Sequence, residues 1–303
     1  MVVHAPPGPV SSPAKLQRIS THATGFSERF GLGRFLPEVD QLMLGFTVAA
    51  VFDPLFTRTQ CAELKRLTKE IYRELGADAD FSAAGSLMPD AYLRIFGHRP
   101  LVPESFLYVS PNADRTKPLP VIVFLHGSGG NLKGYVWVLS RVADQLGALI
   151  VAPSGGMGSW SNGEAAAAID QALAALPAGL RIDPVRIHVV GLSNGGRGVT
   201  QLLQAAPQRF RSFVFISPVF DEQALGRLAF TSADYRPDVL ILTGTLDDRV
   251  PLTYVAESVK RLSSRNLRAD LRVIEGADHF AMFSHRADIS DTLATWFTAR
   301  GRP

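Results

Sequence analysis

Cysteine is almost missing from this chain: Cys61 is the single one in 303 residues. One thiol excludes an intrachain disulfide framework and leaves no cysteine pattern for a metal. Cys61 reads as a buried or half-buried helix residue, since nothing near it in sequence resembles a base partner. Long hydrophobic runs are missing as well. The longest near the start, Leu42 to Phe52, falls well short of the roughly 20 apolar residues that a bilayer span needs. It reads as a helix or strand packed on the main body, with a membrane-surface or partner-docking element as the alternative. No basic stretch followed by an apolar core marks a secretory signal, so the chain is expected in the cytoplasm. Charge of one sign is scarce too. The 31 basic residues exceed the 28 acidic ones by 3, and they form no stripe interleaved with aromatics, which argues against a nucleic-acid partner.

What is present changes character along the chain. Residues 1 to about 20 are rich in Pro, Ser and Gly and are expected to be mobile. From Thr57 to Gly76, Cys61, Leu64, Leu67, Ile71 and Leu75 recur at helical spacing, with Gly76 where a helix stop belongs. These residues place a partly disordered, then mainly helical extension over residues 1–97, its helical part from about residue 25, ahead of a domain spanning 98–303. In that domain strand and helix signals alternate: strands at 106–109, 120–125, 148–152, 185–190, 213–216, 239–242 and 271–274, and helices at 134–146, 163–176 (Asn162 as N-cap), past Gly198, at 252–264 and at 288–299. Repeated β-α-β units predict an α/β fold, a mainly parallel sheet with helices on both faces.

One pentapeptide carries most of the chemical information. Gly191-Leu192-Ser193-Asn194-Gly195 follows the apolar run Ile187 to Val190 and precedes a helix-like segment. A side chain at either glycine would collide across so tight a turn, and such a turn lifts the serine hydroxyl into a cleft. A serine hydroxyl is a weak nucleophile at neutral pH; it needs a base, an orienter for that base, and donors for the developing oxyanion. Asp247 and Asp248 lie in the loop after the 239–242 strand, and His279 follows the 271–274 strand. Both loops fall at the C-terminal edge of a parallel sheet, where functional residues gather. The order Ser193, Asp247, His279 is that of one known hydrolase architecture.

On these residues the chain resembles the α/β-hydrolases from roughly residue 100 to its end. Gly-Leu-Ser-Asn-Gly-Gly is a form shared by compact esterases, dienelactone-hydrolase-like proteins, polyester-depolymerase-like esterases and prolyl-oligopeptidase-type domains. The resemblance implies Ser193 as nucleophile, His279 as base and Asp247 as acid, in preference to its neighbour Asp248. It also implies that His126-Gly127-Ser128-Gly129-Gly130 is the oxyanion loop, with donors from the backbone N–H of Asn194 and of Ser128 or Gly129. No metal or organic cofactor is then required. The implied activity is a serine carboxylesterase acting on a small-molecule acyl ester.

Other residues have competing readings. Trp160 follows a strand and either walls the substrate or packs. His188 is read as structural, and His126 as a loop-orienting hydrogen-bond partner. His285 belongs at the start of the last helix, Asp278 at the surface. Arg197 and Arg249 could bind a substrate carboxylate or phosphate, though solvated surface is the preferred reading for both. Rival functions with the same triad are a prolyl-oligopeptidase-type peptidase, which lacks here any preceding blade-like repeat, and a thioesterase or acyltransferase. A catalytically silent binding protein of the same fold is the non-enzymatic rival. Residues 25–97 are expected to pack over or beside the cleft, and a homodimer through that surface is left open.

Overall fold

The structure, a computed structural model, describes residues 14–20, 36–95, 104–230 and 237–300. The mobility expected of residues 1–13 and the part of the extension at 25–35 lie outside them. Eight strands form one sheet: β1 (Leu16–Ser20), β2 (Glu104–Val109), β3 (Leu119–Leu125), β4 (Leu149–Pro153), β5 (Ile182–Leu192), β6 (Ser212–Ile216), β7 (Asp238–Gly244) and β8 (Ala269–Ile274), in the order β1-β2-β4-β3-β5-β6-β7-β8. From β4 across to β8 all neighbours are parallel; β2 runs antiparallel to β4, and β1 antiparallel to β2. The mainly parallel sheet expected from the sequence is therefore present.

Successive side chains of a strand point to opposite faces, and here both faces are covered. Ile122 and Phe124 of β3 enter one core, while Val121, Val123 and Leu125 enter the other. Helices α5 (Lys133–Leu146), α10 (Ala281–Ser284) and α11 (Arg286–Arg300) contribute to the first core; α6 (Glu164–Ala174), α7 (Gly195–Ala205), α8 (Glu222–Arg227) and α9 (Leu252–Ser264) contribute to the second.

The N-terminal helices α1 (Glu38–Phe52), α2 (Arg58–Gly76), α3 (Ala79–Ala83) and α4 (Met88–Ile95) do not form a core of their own apart from the sheet. Cys61, Leu64, Leu67, Ile71 and Leu75 of α2 are buried in the same cluster as Phe106, Phe124 and Phe283. Thr57 starts α2 with a capping box: its hydroxyl accepts from the Gln60 N–H, and the Gln60 side chain accepts from the Thr57 N–H. Gly76 is the last helical residue of α2 rather than its stop, which is Ala77. The Leu42–Phe52 run is helical and packs inward through Leu42 and Phe46, yet Val51 and Phe52 on its outer side are 74% and 81% exposed. Among the described residues no helix is long and apolar enough to cross a membrane.

Three local expectations are corrected. Residues 16–20 are not part of a mobile tail but pair in register with β2, Leu16 opposite Tyr108 and Ser20 opposite Glu104. Helix α7 begins at Gly195, three residues earlier than Gly198. Its glycines are there for close packing, since a Cβ on Gly196 would lie 2.8 Å from the Val219 carbonyl oxygen and one on Gly198 would lie 2.9 Å from Leu125 Cδ1. Asn162 adopts φ 52° and the cap of α6 is Gly163.

Candidate active site

Parallel strands β5, β7 and β8 all end at one edge, and the loops leaving them meet there. Between β5 and α7 the chain reverses in two residues, which puts Ser193 at φ 50°, a left-handed conformation that costs a non-glycine residue roughly 1–2 kcal/mol. The turn is held on both sides. The Ser193 N–H donates to the Ile216 carbonyl at 2.9 Å, and the Ser193 carbonyl accepts from Gly196 at 2.9 Å and Val219 at 3.0 Å. The flanking glycines are required sterically: a Cβ on Gly191 would lie 2.6 Å from Val199 Cγ2, and one on Gly195 would lie 2.0 Å from the Leu125 carbonyl oxygen.

The loops after β7 and β8 are stitched together. Leu246 N–H donates to the Ala277 carbonyl (2.9 Å), Thr245 N–H to that of Ile274 (3.1 Å), and Gly276 N–H to Thr245 Oγ1 (2.9 Å). Gly244 permits this approach, because its Cβ would sit 2.0 Å from the Ala277 oxygen. The result aligns three side chains. His279 Nε2 lies 3.0 Å from Ser193 Oγ, and His279 Nδ1 lies 3.0 and 3.1 Å from the two carboxylate oxygens of Asp247. The Asp247 side chain is fully buried, and its Oδ1 also accepts from the backbone N–H of Arg249 and Val250. Asp248 is exposed. Asp278 is half-buried, its carboxylate capping the turn through the Phe280 N–H. His285 ends α10 and hydrogen-bonds Ser284.

The loop His126 to Gly130 borders the serine from the β3 side. A Cβ on Gly127 would come within 3.1 Å of Ser193 Cβ, and the Asn194 side-chain amide donates to Ser128 Oγ at 2.7 Å. The sequence points to the Asn194 backbone alone and carries no signal for this side-chain bond. Gly129 and Gly130 hold φ of 97° and 107°, open to glycine alone without strain. His126 is fully buried. Its Nδ1–H donates to the Gly127 carbonyl (2.8 Å) and its Nε2 accepts from the Gly155 N–H (2.9 Å), while burial lowers its pKa to about 4. It is therefore a neutral orienting group at ordinary pH.

Trp160 does not wall the cleft. It is completely buried, its indole N–H donating to the His126 carbonyl at 2.8 Å and its ring meeting the His126 ring edge-on. Gly155 and Gly158 make the room: a Cβ on the first would lie 2.7 Å from the indole, and one on the second 2.3 Å from the Gly127 oxygen. The tryptophan supports the glycine loop from beneath. His188 is structural as expected, buried against Phe297 and bonded to Ser212 Oγ, with burial lowering its pKa to about 3.

Above the serine lies a cavity of about 1670 Å³ whose wall includes Ser193, His279, Gly127 and residues of α1, α2 and α4. Helices α1, α2 and α4 thus lie beside the cleft, the position expected of the N-terminal helices. Arg249 departs from its surface reading. Its guanidinium bonds Asp53 at 2.6 Å and lies over the rings of Phe56 and Phe280, 5.5 and 5.6 Å from their centroids. Deeper in, the Glu38 carboxylate is buried. It accepts from the Lys133 N–H at 2.8 Å and from the Tyr72 hydroxyl, and burial raises its pKa above the ordinary value.

Comparison with known proteins agrees with this architecture. Residues 227–300 match the prolyl oligopeptidase family, a stretch that carries Asp247 and His279 but does not include Ser193. No curated protein matches the sequence. Among solved structures, a thermostable esterase superposes with a TM-score of 0.54 at 20% identity over 66% of this chain and 60% of its own. A ferulic acid esterase gives 0.53 at 15% identity over 66% and 93%. A dipeptidyl aminopeptidase IV from Bacteroides ovatus gives 0.50 at 17% identity over 66% and 34%. The chain thus spans less than two thirds of the thermostable esterase and about a third of the peptidase. At these identities the likeness is one of fold, and the fold is that of the α/β-hydrolases.

Proposed function

We propose that this protein is a serine hydrolase cleaving carboxylic esters through an acyl-enzyme on Ser193. The observation that carries the reading is the chain of contacts from Ser193 Oγ to His279 Nε2 and from His279 Nδ1 to the buried Asp247 carboxylate. In this reading the Asp247 carboxylate accepts a hydrogen bond from His279 Nδ1–H, so that Nε2 keeps its lone pair toward the serine. His279 takes the hydroxyl proton as Oγ attacks the ester carbonyl, and the Asp247 carboxylate stabilises the imidazolium that forms. The proton then passes to the leaving alcohol. A water molecule, deprotonated by the same nitrogen, attacks the acyl-enzyme, releases the acid and restores Ser193.

The oxyanion needs donors other than the Ser193 N–H, which is already committed to Ile216. The reading assigns them to the Asn194 N–H at the start of α7 and to the Ser128 or Gly129 N–H beyond Gly127. Backbone donors fixed before the reaction cost no reorganisation as charge develops. A cytoplasmic setting and a homodimer belong to the same proposal, to be checked by fractionation and by gel filtration.

The experiment is a comparison of native protein with Ser193→Ala on p-nitrophenyl esters. The expected result is hydrolysis by the native chain and a loss of at least about a thousandfold in the variant. A second reading, peptide or amide cleavage, is favoured by the prolyl oligopeptidase match over residues 227–300. Aminoacyl p-nitroanilides turned over faster than the esters would select it.

A further inference from the structure

The cavity above Ser193 is large and lined mostly by apolar side chains. Its volume of about 1670 Å³ exceeds the roughly 300–1,000 Å³ of ordinary small-molecule pockets. A small acyl group would fill only the part nearest the serine. The remainder runs under the N-terminal helices, where Leu42 of α1, Met88 of α4 and Leu132 ahead of α5 form a cluster flanked by Tyr135. Phe283 and Leu192 extend the same wall back toward the triad.

Three charged side chains of this wall already hold partners within the protein. Arg18 pairs with Glu104 at 3.4 Å and Arg249 with Asp53 at 2.6 Å, while the Glu38 carboxylate is held by Lys133 N–H and Tyr72. A charged substrate group would compete with these partners or be buried among apolar side chains without one of its own, and either is costly. A neutral apolar chain meets no such penalty and gains from burial.

Resting on the hydrolase reading, we propose that the substrate class is a neutral ester bearing an extended apolar chain, held between the catalytic edge of the sheet and the helices α1 and α4. Specificity for that chain then resides in the N-terminal helices, not in the loops that carry the triad. Either the acyl or the alcohol side of the ester could supply the chain, and two substrate series separate them.

The test measures kcat/KM for p-nitrophenyl esters from acetate to decanoate, and for alkyl acetates from methyl to decyl. One series should rise by about fourfold per added methylene over its middle members, and the rising series identifies the side. Two flat or falling series would overturn the proposal. Gly45 of α1 lies on the cavity wall, and a Cβ there meets nothing within 4 Å, so Gly45→Trp introduces bulk without displacing backbone. Its expected effect is a fall of about tenfold or more in the preference for the long over the short ester, with circular dichroism confirming the fold. A folded variant with unchanged preference would remove α1 from the site. Labelling of Ser193 by a small fluorophosphonate reads the hydrolase proposal separately. Without labelling both proposals fall; with labelling and two flat series only this one does.

Discussion

Ser193 is the residue where local strain and chemistry coincide. Its φ of 50° is tolerated because three backbone hydrogen bonds and two glycines fix the turn around it. Its partners were legible in the sequence for the same physical reason: each follows a buried parallel strand, so chain order alone puts their loops at one edge. The choice between Asp247 and Asp248 is now geometric, since the first is buried against His279 and the second faces solvent. Asp247→Asn should therefore lower kcat by about a thousandfold or more, and Asp248→Asn by no more than about twofold; steady-state kinetics on one ester decides it. A larger loss at Asp248 would reverse the assignment. Trp160 was not legible in this way. Its place after a strand says nothing of which way the ring turns, and the turn inward depends on Gly155, Gly158 and His126, three neighbours that the fold brings together.

At the scale of elements, the regular pieces were read well and the joints between distant pieces were not. Strands β3, β4, β6 and β7 announced themselves by continuous apolar runs, as expected of strands buried on both faces, whereas the edge strand β8 carries Asp270 and Arg272 among its apolar residues. Strand β1 did not, because Leu16–Ser20 is a short edge strand with polar residues between its buried Leu16 and Ile19, and its partner β2 lies far along the chain. The clamp between α1 and the acid loop was hidden likewise: Asp53 and Arg249 are 196 residues apart in sequence. This clamp joins the C-terminal end of α1 to the segment that also donates two backbone hydrogen bonds to Asp247. A double-mutant cycle of Asp53→Asn and Arg249→Gln, followed by denaturant unfolding, should give a coupling of about 1 kcal/mol, with Arg249→Gln the more destabilising single change because it also loses the two aromatic faces. A coupling near zero would show that α1 is held by apolar contacts alone.

For the whole molecule, the N-terminal helices and the sheet share a core, so the stability of one is tied to that of the other. Two buried histidines make that stability depend on pH. His126 and His188 are held neutral by burial, with pKa values lowered to about 4 and about 3 from 6.5. The unfolded chain takes up protons as pH falls below about 6.5 while the folded chain does not, so stability is full above that value and is lost toward pH 4. Between roughly pH 7 and pH 5 the two sites together should cost up to about 4 kcal/mol. Glu38 acts in the opposite sense: its raised pKa means that the folded state binds the proton first, which offsets part of the loss. Unfolding free energies measured across that range should fall with acidity, and the slope should lessen in His188→Gln. A slope unchanged by that substitution would mean that His188 is not held neutral in the folded protein.

The central claim is that Ser193 is a nucleophile activated by His279. Incubating the folded protein with a fluorophosphonate and mapping the adduct by mass spectrometry tests it most directly. The account predicts one adduct, on the peptide containing Ser193, formed far more slowly when His279 is replaced by Ala. No adduct on the folded native chain, or an adduct at another serine, would contradict it.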